Sequence, residues 1–377
     1  MQEPLRILMF GTDHNVFKPG SDVRIRMLEY ARLFDHLSVV VLTPRGYHVE
    51  MPTENLSLHP TNSLFFFLRP FDAFFIGSRI IRQNGITVLS VQDPAESGFA
   101  GWLLKKRFGI SLNIQLHSDF LSPFFKRNSY KEFIRFLLAR LLLPSGDSFR
   151  VVSQRIKDSL IATFGIQPSK ITVLPIYVDR KATLREPPVF ALHDKYPQFD
   201  FIILMVSRLF REKNIKLALL AFRETLRQFP KTGLIIVGDG PERKNLEFRI
   251  QNLELSNHIR FEGWQDDLAF YYKGADLYLL TSNFEGYGRS VVEAVSAGLP
   301  VVMTDVGVAG ELICDHETGR VVPPRNVEAL SNAIGEARRL GPDMRRMADK
   351  AKEVLLHTPP ITKDDYLKMY KDSLLRV

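Results

Sequence analysis

Two glutamates, Glu285 and Glu293, lie on either side of a glycine-rich turn within the stretch TSNFEGYGRSVVEAVSAGLPVV. Gly286 and Gly288 have no side chains, so a ligand can approach the backbone at these positions. The helix predicted after the turn directs its first N–H groups and the positive end of its dipole to the same place. The pattern therefore predicts a site for an anion such as a diphosphate.

The two carboxylates are explained if the ligand also carries hydroxyl groups, because ionised carboxylates accept the hydrogen bonds that hydroxyls donate. Glu285 lies in the loop with Tyr287, and the 3.6-residue repeat places Glu293 about two turns into the helix. A nucleotide sugar has sugar hydroxyls at one end, a diphosphate in the middle and ribose hydroxyls at the other end. The alternative is a solvated helix with two unrelated glutamates, which the strand–turn–helix context disfavours.

A second pattern, VSRLFREKN, places Arg208 and Lys213 between an apolar strand and a predicted helix. Breaking the bond between a sugar and a phosphate builds negative charge on the leaving oxygen, which fixed cations stabilise without a metal. Arginine offers a planar fork to two phosphate oxygens, and lysine acts as a point charge. Arg211, which lies between Arg208 and Lys213, is a third candidate for such a cation. Surface cations before a helix are common, so this pattern gains its weight from the glutamate motif.

The seven-residue spacing between the glutamates, with SN before it and EAVSAGLPVV after it, resembles the retaining glycosyltransferases of family 4. Members of that family have the GT-B fold, in which two Rossmann-like domains face each other across a cleft. The resemblance covers most of the chain and is strongest from Val206 to Val322. It implies metal-independent transfer of a sugar, with retained configuration, from a UDP- or GDP-linked donor to a hydroxyl of a glycan or lipid-linked glycan. The nucleotide sugar is a substrate, so no cofactor is expected.

The resemblance also implies roles for single residues. Arg208 and Lys213 would bind the donor diphosphate, and Glu285 and His117 would complete the catalytic group. His117 ends a predicted strand at its carboxyl edge, where open α/β sheets bind ligands, although a lone histidine is more often structural. The residues implied to bind the donor are Gly20, Arg208, Lys213, Gly238, Trp264, Glu285, Gly286, Tyr287, Gly288 and Glu293.

Some of these positions keep alternatives open. Trp264 stands where the family holds the base, but a packing role fits the sequence equally well. The segment around Gly20, with Arg24 behind it, reads Pro-Gly-Ser where the family commonly has paired glycines. Arg289 stands where an apolar residue is usual, and either reaches a phosphate or faces solvent.

Apolar runs alternate with helical patterns along the chain, which predicts an α/β fold of parallel sheets with crossover helices. We predict an acceptor-binding domain over residues 1–184, a linker over 185–198 and a nucleotide-sugar-binding domain over 199–360. The resemblance implies that a C-terminal helix over 361–377 packs back on the first domain. The predicted strands are residues 6–10, 37–42, 86–91, 112–116, 149–152, 171–174, 201–207, 233–237, 259–261, 277–281, 300–304 and 320–322.

Composition narrows the class of protein. Cys314 is the single cysteine of the 377-residue chain, which excludes an internal disulfide and a multi-cysteine metal site. The nine histidines form no pair at zinc-binding spacing, so no metal is expected. The start of the chain lacks the features of a signal peptide, and no run of about 20 apolar residues is present. We therefore expect a cytoplasmic protein.

Positive charge is concentrated in the first half of the chain. Residues 1–185 hold 24 Lys and Arg against 15 Asp and Glu, whereas residues 186–377 hold 26 against 27. Residues 64–75 are rich in phenylalanine, and residues 124–143 combine Arg127, Lys131 and Arg135 with a wide apolar face. A basic stripe beside an apolar face suits an anionic membrane, so peripheral attachment to its inner face is a hypothesis. A core helix with one wet face fits the same pattern.

Other functions share parts of these patterns. A phosphorylase or a nucleotide-sugar epimerase would keep the fold and change the chemistry. A sugar-nucleotide-binding subunit with decayed catalysis would keep the fold alone, but the presence of both glutamates, His117, Arg208 and Lys213 argues against decay. The basic composition suggests nucleic acid, but the charge lies in one half without a recognised binding motif, so no nucleic-acid partner is expected.

Overall fold

The computed structural model describes residues 4–179, 192–359 and 362–375. The chain divides into two compact units. The first unit comprises the residues up to Pro175 together with those from Thr362 onward, and the second unit runs from Ile176 to Ile361. Each unit is built on its own β-sheet.

The first unit contains an eight-stranded sheet in its described residues, with the spatial order β3-β4-β2-β1-β5-β6-β7-β8. Its strands are β1 (Arg6–Gly11), β2 (His36–Val41), β3 (Glu50–Thr53), β4 (Leu56–Pro60), β5 (Val88–Val91), β6 (Ser111–Leu116), β7 (Ser148–Val151) and β8 (Ile171–Val173). Its helices are α1 (Asp22–Ala31), α2 (Arg69–Asn84), α3 (Glu96–Phe108), α4 (Tyr130–Leu142), α5 (Gln154–Phe164) and the C-terminal helix (Lys363–Leu375).

The first sheet is parallel except where β3 pairs with β4. Strands β2, β5, β6 and β7 are buried along most of their length, as expected where helices cover both faces of a parallel sheet. Their sequences nevertheless include buried polar residues, among them Asn113 and Gln115 of β6 and Arg150 of β7. Neither strand of the β3–β4 hairpin was predicted. Strand β3 is a short edge strand with alternately half-buried and exposed residues and contains Pro52, and β4 is a short buried segment that contains Ser57 and His59.

Helix α4 begins later than residues 124–143 suggested. Ser129 caps it by accepting a hydrogen bond from the N–H of Glu132, so Arg127 lies before the helix. Arg135 forms an ion pair with Glu96 of α3 at 2.9 Å. The predicted basic stripe of Arg127, Lys131 and Arg135 is therefore wrong as a helical feature.

The C-terminal helix packs on the first sheet through a buried cation. Arg150 of β7 is 2% exposed, and its guanidinium donates to Gln115 Oε1 at 2.8 Å and to the Tyr366 hydroxyl at 3.0 Å. The ring of Tyr370 lies 5.2 Å from the same guanidinium, and the hydroxyls of Tyr30 and Tyr366 are 2.7 Å apart. Burial raises the pKa of Tyr370 to about 12, so this phenol stays neutral. Polar and aromatic groups rather than a carboxylate surround this charge in the described residues.

The second unit contains a six-stranded sheet in its described residues, with the spatial order β11-β10-β9-β12-β13-β14 and parallel pairings. Its strands are β9 (Phe201–Val206), β10 (Thr232–Val237), β11 (Ile259–Gly263), β12 (Leu277–Leu280), β13 (Val301–Thr304) and β14 (Arg320–Val322). Its helices are α6 (Leu192–Lys195), α7 (Ile215–Leu226), α8 (Arg243–Asn252), α9 (Ala269–Gly274), α10 (Arg289–Ser296), α11 (Val327–Arg339) and α12 (Gly341–His357).

Two apolar cores cover the opposite faces of the second sheet. Ile202 and Leu204 belong to one core, and Ile203 and Met205 belong to the other, because successive side chains of a strand point to opposite faces. The interior of β9 is buried on both faces, and its sequence carries no polar alternation. This is why the segment FIILMV reads as a strand of a parallel sheet.

The predicted linker, residues 185–198, lies partly outside the described residues. Its described part, residues 192–198, includes α6, and Leu192 and Tyr196 are buried in the core of the second unit. The second unit begins at Ile176, ahead of the predicted domain start at residue 199. The described residues 192–198 thus contribute to the core of the second unit.

Candidate active site

In the second sheet the strand order reverses between β9 and β12. Strands β10 and β11 continue from β9 on one side, and β13 and β14 continue from β12 on the other. Open parallel sheets bind ligands at such a point, outside the carboxyl ends of the strands. The loops that leave β9 and β12 carry Arg208, Lys213 and Glu285. The fold therefore brings these three predicted site residues to one edge of one sheet.

Hydrogen bonds join these two loops to each other. Thr281 Oγ1 donates to the carbonyl oxygen of Lys213 at 2.9 Å, and the N–H of Asn283 donates to the carbonyl oxygen of Glu212 at 2.7 Å. Asn214 Nδ2 donates to Asn283 Oδ1 at 3.1 Å. The protein itself fixes the spacing of the loops, which lowers the entropy cost of binding a ligand there.

Lys213 and Glu285 form an ion pair at this edge. The ammonium of Lys213 donates to Glu285 Oε1 at 2.5 Å, and the two side chains are 16% and 13% exposed. Ser282 Oγ donates to the same carboxylate oxygen at 2.7 Å. Each charge compensates the other in a place that water hardly reaches. Because an ammonium has three N–H donors, Lys213 can bind a phosphate oxygen while it holds Glu285.

Glu293 lies in α10 with both carboxylate oxygens hydrogen bonded. The Tyr272 hydroxyl donates to Oε2 at 2.9 Å, and Arg289 Nε donates to Oε1 at 2.7 Å. Burial raises the pKa of Tyr272 well above its ordinary value, so the hydroxyl keeps the proton that it donates. Each carboxylate oxygen has a second lone pair that can accept from a ribose hydroxyl. Since α10 begins at Arg289, Glu293 is about one turn into the helix, and the prediction of two turns is wrong.

The turn before α10 has the backbone geometry that its glycines suggest. Gly288 has a φ of 96°, a left-handed conformation that glycine adopts without strain, and Gly286 is buried next to the half-buried Tyr287. At the end of β10, Gly238 has a φ of 125°, and a Cβ atom there would lie 2.1 Å from the carbonyl oxygen of Ser207. The packing of two strand-end loops thus requires glycine at position 238, whether or not a ligand approaches.

The predicted cations of the β9 loop differ in their surroundings. The side chain of Arg208 is 64% exposed, with its guanidinium 4.9 Å from the centre of the Phe210 ring and 3.9 Å from Glu212. Arg211 lies 3.5 Å from Glu242 instead. The side chain of Arg211 is 72% exposed, so exposure does not distinguish the two arginines, and Arg208 differs in its longer distance to a carboxylate.

Trp264 follows β11 and is 69% exposed, so the packing role is wrong for this indole. Its Nε1 donates to Asp266 at 3.0 Å, which fixes the orientation of the ring. An exposed, oriented indole offers a face on which a nucleobase can stack.

In the first sheet the strand order reverses between β1 and β5, and His117 follows the neighbouring strand β6. His117 Nε2 lies 3.0 Å from Oε1 of Gln92, the residue that follows β5. Burial, together with the positive charges of Arg150 and Arg26, lowers the pKa of His117 to about 3. The imidazole is neutral at physiological pH and acts through hydrogen bonds rather than charge.

Gly20 lies in the turn that precedes α1, with a φ of 76° and open space on the side where a Cβ would point. Ser21 caps α1 by accepting from the N–H of Arg24 at 3.2 Å. The Arg24 guanidinium donates to Glu50 Oε2 at 2.6 Å, so its charge is compensated within the first unit. The donor role of Gly20 stays a prediction.

Three residues of the candidate site were missed in the sequence. Ser282, Tyr272 and Gln92 hold Glu285, Glu293 and His117, respectively, through hydrogen bonds. Ser282 and Gln92 each follow a strand end, and that position is a signal that the sequence offered. Tyr272 lies in the short helix α9, 21 residues before its partner, and no local pattern marks it.

Two parallel-sheet units, the second with cations and carboxylates at its switch point, define a GT-B glycosyltransferase. The family model described as Glycosyl transferases group 1 matches residues 193–354, and the one described as Glycosyltransferase Family 4 matches residues 26–182. The protein belongs to these glycosyltransferases, and the resemblance inferred from the glutamate motif is confirmed.

Relatives with assigned names include two glucosyltransferases. Alpha-monoglucosyldiacylglycerol synthase of Acholeplasma laidlawii is 30% identical over 227 residues, which are 58% of this chain and 55% of that protein. Poly(glycerol-phosphate) alpha-glucosyltransferase of Bacillus subtilis is 33% identical over 139 residues, which are 37% of this chain and 21% of that protein. The chain thus matches about half of the first relative's length and less of the second.

Solved structures confirm the fold. Sucrose-phosphate synthase from Thermosynechococcus elongatus superposes with a TM-score of 0.78 at 20% identity, covering 98% of both chains. Anabaena Alr3699/HepE in complex with UDP and glucose superposes with a TM-score of 0.75 at 19% identity, covering 99% of this chain and 100% of the other. Identities this low show the fold alone.

Proposed function

We propose that this protein transfers a sugar from a nucleotide-diphosphate donor to a hydroxyl of a glycan or lipid-linked glycan, with retained configuration and without a metal. One observation carries the proposal. The Lys213–Glu285 ion pair lies at the switch point of the second sheet and joins the β9 loop, which also carries Arg208, to the β12 loop, which leads into α10. Cations and helix N–H groups suit a diphosphate, and carboxylates suit hydroxyls. A nucleotide sugar requires both.

In the proposed reaction the bond between the anomeric carbon and the β-phosphate oxygen breaks. The acceptor oxygen bonds to that carbon, and the acceptor proton passes to the leaving phosphate. Arg208, Lys213 and the first N–H groups of α10 stabilise the charge on the leaving oxygen. Glu285 accepts hydrogen bonds from the sugar and Glu293 from the ribose. His117 hydrogen bonds to the donor sugar, a role that rests on the family resemblance.

The donor is proposed to be UDP- or GDP-linked. Structures of Anabaena HepE are described in complex with UDP and with UDP-glucose, and the two relatives above are named as glucose-transferring enzymes, which favours a UDP-linked hexose. Metal independence is proposed because two cations and a helix N-terminus are available for the diphosphate. The described residues contain no group of three or more His, Cys, Asp or Glu side chains that could hold a metal ion.

The acceptor is proposed to lie at a membrane. The Acholeplasma laidlawii relative is named for making a glucosyl lipid. None of the helices in residues 4–179, 192–359 and 362–375 combines the length and the apolar character that a membrane span requires. We therefore propose peripheral attachment of a cytoplasmic enzyme to the inner face of the membrane.

Calorimetric titration with UDP, GDP and ADP in the presence of a chelator tests the donor proposal. We expect selective binding of one nucleotide by the natural protein and weaker binding by Glu293→Ala. Lys195→Met is a matched control, because it also removes a lysine from an ion pair of the same unit, with Glu262, and the lysine is 45% exposed. No binding of any nucleotide would overturn the proposed donor site.

Product analysis separates transfer from the related chemistries. Incubation of the preferred nucleotide sugar with a lipid or glycan acceptor should give a glycosylated product whose anomeric configuration matches the donor, as read by proton coupling constants. Turnover that depends on inorganic phosphate would indicate a phosphorylase. Conversion of the sugar without an acceptor would indicate an epimerase, and nucleotide binding without any turnover would indicate a binding subunit.

A further inference from the structure

We propose that a defined surface of the first unit, the apolar platform, docks on a bilayer that contains anionic lipids. The apolar platform consists of residues 64–75 and the exposed face of α4, residues 130–141. The inference rests on the membrane location proposed above and names the surface and the lipid chemistry that would produce it. It does not depend on the identity of the donor or on turnover.

The solvent-facing side of α4 is apolar. Its exposed side chains recur at spacings of three, four, seven and eleven residues, which places them on one helix face, and they are Tyr130, Phe133, Ile134, Leu137 and Leu141. The opposite face, with Phe136, Ala139 and Leu142, is buried in the first unit. A helix of a soluble domain usually presents polar residues to water, so a second apolar face predicts a second apolar environment.

The phenylalanine-rich segment continues this surface. Four exposed apolar residues precede α2, namely Leu64, Phe65, Phe66 and Phe67. Two more exposed phenylalanines lie within α2, one helical turn apart, at Phe71 and Phe75. The rings of Phe65 and Phe67 stack at 5.5 Å, although neither is covered by the described residues.

Direct contacts join the two segments. The ammonium of Lys131 lies 4.9 Å from the centre of the Phe66 ring, which connects α4 to the phenylalanine segment. Helix α3 contacts both segments, because its Phe99 contacts the ring of Phe71 and its Glu96 pairs with Arg135 of α4. The apolar platform is therefore one surface of one unit.

Charge favours a bilayer with anionic lipids as the occupant. The platform residues 64–75 and 130–141 hold four Lys and Arg against two Asp and Glu, with Arg135 paired to Glu96, and Lys126 and Arg127 lie just before α4. At about 100° per residue, Lys131 and Arg140 lie on either side of the exposed face of α4, about 100° and 80° from Tyr130. Apolar side chains that enter a bilayer while flanking cations meet lipid phosphates are typical of interfacial helices. A second copy of this surface would instead oppose like charges, which disfavours self-association.

Vesicle flotation tests the proposal with the full-length protein. Vesicles of phosphatidylcholine alone are compared with vesicles that also contain phosphatidylglycerol, at low and high salt. We expect binding to the anionic vesicles, at least about tenfold weaker partitioning for Phe67→Ser/Leu141→Ser and a similar loss for Lys131→Glu/Arg140→Glu. Phe67 and Leu141 are 66% and 72% exposed, so their replacement leaves the core intact.

Matched controls lie in the second unit. Phe248→Ser replaces a phenylalanine that is 62% exposed outside the platform, and Lys216→Glu reverses an exposed charge of α7; both should bind vesicles as the natural protein does. Equal binding to neutral and anionic vesicles, equal binding by the platform variants, or no binding at all would overturn the proposal. Concentration-dependent dimerisation that Phe67→Ser/Leu141→Ser abolishes, without vesicle binding, would overturn it in favour of a second copy.

Nucleotide titration of the same variants keeps this proposal separate from the proposed function. The platform variants should bind the nucleotide as the natural protein does. Intact nucleotide binding without vesicle binding refutes the apolar platform alone, whereas vesicle binding without nucleotide binding refutes the donor site alone.

Discussion

Replacing Lys213 by methionine separates the structural role of the Lys213–Glu285 pair from its proposed role in transfer. The substitution keeps the length of the side chain and removes the charge, so that Glu285 keeps only the donor from Ser282 among its described side-chain contacts. Removing one partner of a buried ion pair costs about 3–5 kcal/mol. Because these side chains retain 16% and 13% exposure, we expect a loss of about 2–3 kcal/mol in the free energy of unfolding.

A second variant supplies the test. Lys213→Met/Glu285→Gln replaces the stranded carboxylate by a neutral amide of the same shape, so most of the lost stability should return, to within about 1 kcal/mol of the natural protein. Turnover should not return. A cation that stabilises a developing oxyanion contributes about 10²–10³ in rate, and neither variant has one at position 213.

Thermal unfolding and turnover are measured on the natural protein, both variants and Lys195→Met. The single variant should unfold about 4–12 °C lower, which is the expected effect of 2–3 kcal/mol on a unit of this size. Lys195→Met breaks a pair in which the lysine is 45% exposed, so it should change the free energy of unfolding by less than about 1 kcal/mol. Natural turnover in the double variant, or an unchanged melting temperature in Lys213→Met, would refute this account of the pair.

Three further outcomes are expected. The pKa of His117 in the folded protein is about 3, below its unfolded value of about 6.5, so the unfolded chain binds more protons between these pH values and the free energy of unfolding falls as the pH falls. Between pH 6.5 and 5, urea unfolding should show that His117→Gln loses about 1–2 kcal/mol less of this free energy than the natural protein does. Trp264→Ala should weaken nucleotide binding about tenfold in calorimetry without a change in melting temperature, and unchanged binding would exclude base stacking. Glu293→Ala should weaken nucleotide binding about tenfold, while Arg289→Met, whose side chain is 60% exposed, should stay within about threefold; equal affinities in the two variants would contradict a ribose contact.

A strand such as β9 was predictable because a strand buried on both faces favours a continuous apolar run, whereas β6 and β7 interrupt theirs with buried Gln115 and Arg150. Each predicted strand corresponds to one in the structure, and most ends differ by one or two residues. Strand β3 escaped because an edge strand needs no such run, and β4, although mostly buried, is a short segment that contains Ser57 and His59 and ends at Pro60. The start of α10 was misplaced because it depends on the backbone conformation of Gly288, which the sequence permits but does not determine.

The residues of the candidate site also fall into a predictable group and a group that could not be predicted. Glu285, Glu293, Arg208 and Lys213 belong to local motifs at strand ends, so their spacing alone marked them. Their partners depend on which strands become neighbours. Lys213 and Glu285 are 72 residues apart and meet because β9 pairs with β12. No local pattern reveals such a pairing, and the same holds for Tyr272 and Glu293.

The buried guanidinium of β7 has a consequence for biosynthesis. Its partners come from the first half of the chain and from the C-terminal helix, and the whole second unit is encoded between them. A ribosome that makes the chain from its N-terminus therefore releases Arg150 long before Tyr366 and Tyr370 exist. Until then the charge has to remain hydrated, because a buried cation without its partners is costly. The ribosome thus begins the first unit before the second and completes it afterwards. The packing of the C-terminal helix on the first sheet can form only after the whole second unit has been translated.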